Sequence, residues 1–155
     1  MNNFRNIIIA LITAPELLSG LVVFATYVYQ PHLFILAGTH MLDSEVWKYI
    51  IVLPTAFTAW SIKTSKEIRA PADKELNKKL YEWPHYPLLV GRIYLALIIS
   101  ILCSATAILT WIFAKKSSPE MIALLYFSST LISGATAALL TLASQKVPEI
   151  LTKYG

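Results

Sequence analysis

The sequence predicts an all-α, polytopic integral membrane protein, with four transmembrane helices in one antiparallel bundle that takes up residues 1–155 as a single domain. Three observations lead there. Apolar stretches at about 7–29, 46–62, 88–114 and 121–143 occupy more than half of the chain. Each approaches or exceeds the ~17–25 residues that cross about 30 Å of hydrocarbon as a helix, which satisfies its own backbone groups there. Hydrophobic residues make up 56% of the 155 and charged residues 14%, leaving room for connections but not for a second domain. Lysine and arginine are also divided unevenly. Arg5, the 63–85 hairpin and the tail with Lys146 and Lys153 fall on one side of four crossings, whereas 30–45 has no Lys or Arg and the third connection only Lys115 and Lys116. By the positive-inside rule both termini and the hairpin are cytoplasmic, in the inner membrane if the host is a bacterium.

The first twelve residues mimic a secretory signal, with Arg5 ahead of the apolar run 7–12. Pro15 and Glu16 interrupt the run, no small-x-small cleavage site follows, and apolar sequence continues to Tyr29, so a retained first helix is expected. Glu16 lies about 14 Å along the helix from Ile7, near the bilayer midplane. A carboxylate there costs at least ~2.5 kcal/mol, so it must face protein or water, be paired, or be protonated. Pro15 removes an N–H and predicts a kink. Thr13, Glu16, Gly20 and Tyr27 form a polar stripe that should face inward. Among intramembrane groups the best partner for Glu16 is Arg92, near the inner end of the third helix, through a charge-assisted bond, an arrangement the residues favour no more than its main alternative. The alternatives are a protonated Glu16 bonded to Thr55, Thr58 or a serine of the fourth helix while Arg92 snorkels to phosphates, or a carboxylate on an aqueous path.

The connection 30–45 reads as an outer loop, apolar enough at 33–37 to cap the bundle as a lid. Its His32, His40, Asp43 and Glu45 match no compact metal motif. The second helix is short, begins beside Lys48 and has Pro54 as a kink. Tyr27, Tyr29, Trp47, Tyr49, Trp83, Tyr86 and Trp111 fall near proposed helix ends, where aromatic rings prefer the headgroup boundary. After Pro71, Ala72, Leu76, Leu80 and Trp83 recur at helical spacing with Lys74, Glu75, Lys78, Lys79 and Glu82 on other faces, predicting a short amphipathic cytoplasmic helix at the lipid interface, with Glu75 and Lys79 paired. Lys74, Lys78, Lys79 and Trp83 are its candidate interface residues. Val147, Ile150, Leu151 and Tyr154 suggest a second such helix, with Pro148 in its first turn.

The fourth helix has two small-residue ladders, Ser129, Ser133, Ala137 and Thr141 beside Thr130, Gly134 and Ala138, and the third offers Ala96, Ser100 and Ser104. Small residues let helices approach closely, which drives association in lipid. With two ladders on one helix, one is available for a partner or a second copy. Cys103 stands alone, so no intrachain disulfide or cysteine metal motif forms. No histidine lies in a span to ligate haem, and no cofactor or metal is expected. A net charge of +4 in such a protein reflects topology and anionic lipid rather than nucleic acid. The leading expectation is a non-enzymatic protein that associates with another membrane protein, as accessory subunit, regulator or immunity-type protein. The alternatives are a homo-oligomeric pore or membrane-depolarising effector using Glu16, and an enzyme or transporter for a lipid-like substrate around Arg92, Tyr94 and Tyr81.

Overall fold

A computed structural model describes residues 15–45, 49–71 and 73–154, all of whose regular elements are helical. In chain order these are α1 (Pro15–Tyr29), α2 (Pro31–Asp43), α3 (Val52–Arg69), α4 (Lys74–Glu82), α5 (Tyr86–Phe113) and α6 (Pro119–Tyr154), with a 3-10 turn at Ala114–Lys116. Two segments, Tyr86–Lys116 and Pro119–Thr152, are long and apolar enough to cross a membrane. There is a third if α1 and α2, bent by 102° to each other, are one broken span.

The longest helix, α6, is the axis, and α1, α2, α3 and α5 all pack on it. Phe57 lies against Gly134 and Trp60 bonds to Thr141, so α3 and α6 run the same way. α1 runs opposite to α6, with Gly20 beside Ile132 and the earlier Glu16 on a cleft shared with the later Leu140. The interior has three levels. At the Ser117 end an apolar core joins Val23, Phe34, Met41, Ile50, Ile122 and Ala123. At the Trp83 end another joins Ile68, Leu80, Ile93, Ala96, Leu140, Val147 and Leu151. Between them lie small and hydroxyl-bearing side chains, with Thr58, Ser100, Ser104, Ser129, Ser133 and Thr136 buried. Small residues at this level allow the close backbone approach that helix packing in lipid relies on.

Three elements differ from expectation, each for a local reason. The predicted outer loop is mostly α2. Gln30 still donates its N–H to Thr26 O at 2.8 Å, but Pro31 has none to extend the ladder and moves Gln30 out of the helical region, so the chain turns there and starts again with proline in the first turn. Phe34, Gly38 and Met41 recur at helical spacing and bury, while Leu33, Ile35 and Leu36 stay exposed on the other faces.

α3 runs past the predicted end at residue 62, because Pro54, Thr58, Ser61, Ser65 and Ile68 form a continuous buried face while Lys63, Lys66 and Glu67 point outward. Pro54 is in its first turn, where the missing N–H has no intrahelical partner, and so begins the helix instead of kinking it. α3 is not among the segments apolar enough to cross a membrane. The proposed kink at Pro15 depends on residues before it, which lie outside the described residues.

α4 forms where the amphipathic helix was predicted, with the Asp73 side chain accepting from the Glu75 N–H at 2.9 Å as its cap. Its apolar side closes the bundle: Leu80 is fully buried in the Trp83-end core, with Leu76 and Trp83 packed beside it. The tail forms no separate helix, because α6 continues through Pro148 to Tyr154. Burial of Val147 and Leu151, worth about 1.5–3 kcal/mol each, offsets the ~3 kcal/mol an interior proline costs a helix.

Candidate functional site

The strongest chemical feature of the interior is one charge pair. Glu16 on α1 is 1% exposed, and Arg92 on α5 donates from Nη2 to its Oε2 at 2.5 Å. The two helices do not pack face to face on each other, so the length of the arginine side chain closes the gap. A third of the Arg92 side chain remains exposed. Its Nη1 is enclosed and meets no acceptor among the described residues, and an enclosed donor left unmet costs about 1–3 kcal/mol.

Beneath the pair is a cleft of about 290 Å³ with Glu16 and Arg92 on its sides and Leu89, Ile93, Leu140 and Ala143 among its apolar walls. This fixes the level of the pair. Gly20 lies against Ile132 and α1 runs opposite to α6, so Glu16, one turn earlier, faces α6 beyond residue 132 and shares a cleft with Leu139, Leu140 and Ala143, nearer the Trp83 end than the midway position obtained by counting from Ile7. Arg92 is where the sequence put it, close to the start of α5.

The other predicted polar residues form a separate group or none. Thr13 lies outside the described residues. Thr55 turns back on its own helix, donating to Ile51 O at 2.5 Å and Val52 O at 3.0 Å. Thr58 joins α3 to α5: its hydroxyl meets Ser100 O at 2.9 Å and the Ser100 and Ser104 hydroxyls at 2.7 Å each. Ser104 donates in turn to Pro54 O at 3.1 Å. Replacing Thr58 with valine keeps the shape and removes the hydroxyl. The expected loss is about 1 kcal/mol, within the range for interhelical hydrogen bonds in membranes, read as a lower unfolding midpoint in detergent.

Of the small-residue positions, Ser129, Ser133, Ala137, Ala96, Ser100 and Ser104 are buried. Gly134 accommodates Phe57, whose ring would lie 3.4 Å from an added Cβ, and Thr141 accepts from Trp60 Nε1 at 3.0 Å. α3 thus covers much of the ladder left open for a partner, although Ala138 remains exposed. Lys74 and Lys78 are exposed and Lys79 half-buried. Lys78 pairs with Glu82 at 4.0 Å, one turn beyond the Glu75–Lys79 pair expected.

Two features had escaped the sequence reading. Arg69, the last residue of α3, donates to the Tyr94 hydroxyl at 2.8 Å and lies over its ring at 5.0 Å. Tyr81 and Tyr86 stack edge to face nearby, at 5.0 Å. Tyr94 thus engages Arg69 and not Arg92, and recognising this required knowing that α3 extends to residue 69. The second is Gly38, where α2 crosses the start of α6 so closely that an added Cβ would fall 1.9 Å from Pro119 O. Among the described residues no group of three or more His, Cys, Asp or Glu side chains converges. No family model matches the chain, and neither a curated protein nor a solved structure is significantly similar to it.

Proposed function

We propose that this is a small non-enzymatic membrane protein that acts by associating with another membrane protein, as an accessory subunit, regulator or immunity-type protein. The observation that carries this reading is the seating of α4. Leu80 is fully buried in the bundle base, which holds α4 in one orientation and turns Lys74, Glu75, Lys78 and Glu82 outward. A charged helix clamped in this way is a preorganised surface, and preorganisation lowers the ordering cost of association. In the topology proposed with it, α1, α3, α5 and α6 cross the inner membrane of a bacterial host as a four-helix bundle, α2 lies at the outer boundary, and α4 and both termini are cytoplasmic.

A conducting path through Glu16 draws less support, since the carboxylate is turned into its own bundle and engaged by Arg92. Mild extraction of the intact protein from native membranes is expected to recover a stoichiometric membrane partner. The combined Lys74→Gln, Lys78→Gln and Lys79→Gln variant, which removes the positive charges without setting glutamates against Glu75 and Glu82, should lose that partner while keeping its unfolding midpoint. A native protein that elutes alone would overturn the reading, and one that elutes only as a multimer of itself would favour the pore.

A further inference from the structure

We infer that the cleft between α1 and α5 is a binding site for one membrane phospholipid, with an acyl chain on its apolar walls and an ester carbonyl on Arg92. The shape comes first. α1 and α5 stand apart on α6, and the space between them, about 290 Å³, falls just short of the ~300–1,000 Å³ typical of ligand pockets. It takes one end of a molecule. Leu89, Ile93, Leu139 and Leu140 line it, and Leu17 and Leu88 on the flanking helices are exposed, as side chains facing hydrocarbon would be. A void with such walls forfeits dispersion contacts that a lipid chain supplies.

The chemistry selects which part of the lipid reaches inside. A guanidinium has five N–H groups, and the acceptor that the described residues give Arg92 is one Glu16 oxygen. Donor capacity is left over on the exposed third of the side chain, but charge is not, because Glu16 already balances Arg92. A phosphate drawn into the cleft would leave a net negative charge beside a buried carboxylate, whereas a carbonyl oxygen leaves the balance intact. The depth agrees. Arg92 lies six residues beyond Tyr86, about 9 Å along α5, which is inside the boundary marked by the Trp83 and Tyr86 rings and on the hydrocarbon side of the phosphates.

The test compares two probes on the intact protein, ester-linked phosphatidylcholine and its ether-linked analogue of the same chain length, with retained lipid counted by native mass spectrometry. One ester lipid should be retained, about tenfold more than the ether lipid, the effect of one charge-assisted hydrogen bond. Ala143→Leu, which narrows the cleft from α6 and leaves both charged residues in the sequence, should bring ester-lipid retention down to the ether level. Equal retention of the two lipids would overturn the inference, as would retention of neither, or undiminished ester binding by Ala143→Leu. A stoichiometric protein that seals the cleft and excludes both lipids would do so too. None of these outcomes bears on α4, so the proposed association stands or falls separately.

Discussion

Arg92→Leu is expected to cost the fold about 3–5 kcal/mol, the penalty for removing one member of a buried pair and stranding the other. Glu16 is the member that suffers. It is 1% exposed, whereas a third of the Arg92 side chain is open. The loss therefore comes less from a missing bond than from a carboxylate deprived of its counter-charge among Leu89, Ile93 and Leu140. Adding Glu16→Gln to Arg92→Leu should return much of the stability, because it removes the stranded charge. Glu16→Met with Arg92→Leu should come close to the native protein, since apolar groups of similar volume often replace buried pairs at little cost. Unfolding midpoints of the four proteins in one detergent decide the matter. Should Arg92→Leu keep full stability while Glu16 alone still resists substitution, the pair does not hold α1 to the bundle.

Gly38→Ala is the other severe substitution. The added Cβ would stand 1.9 Å from Pro119 O and 2.3 Å from its carbonyl carbon. Backbone atoms cannot step aside as a side chain does, so α2 must lift from the start of α6. Phe34 and Met41, on the same buried face, would lift with it from the core they share with Ile122 and Ala123. Overpacking typically costs ~1–3 kcal/mol and occasionally more, and with no flexible neighbour to yield, a value of about 3 kcal/mol is expected. Gly91→Ala is the internal control. An added Cβ there meets nothing within 4 Å, and alanine is about 1 kcal/mol better than glycine in a helix, so that protein should be unchanged or slightly more stable. A Gly38→Ala protein as stable as Gly91→Ala would show that α2 does not seat on α6 at this point.

The helical class and the two long apolar helices were legible because α5 and residues 121–143 of α6 are long, mostly hydrophobic runs. α4 was legible from the spacing of Leu76, Leu80 and Trp83. What hydropathy hid was the polar interior. Thr58, Ser61, Thr64 and Ser65 make α3 look like a span that stops early, whereas they bury against other helices and carry it on to Arg69. Glu16 and Arg92 stood out because a charge in an apolar run is conspicuous, yet their level could not be counted from one helix. It is set by where α1 docks along α6. Gly38 left a fainter trace, its place four residues after Phe34 and three before Met41, since the demand for a missing Cβ comes from Pro119, far away in the chain.

The helix that organises all the others is also the last of them to leave the ribosome. α3 and α5 share the contacts among Thr58, Ser100 and Ser104 and have the means to pair as soon as both are made. α1 and α2 find their main packing surface on residues 119–154. During synthesis, which runs from the N-terminus, they must wait for the end of α6, and Glu16 waits with them for the surface that brings it to Arg92. Until then the Glu16 carboxylate, fully enclosed in the finished bundle, lacks the surface that encloses it.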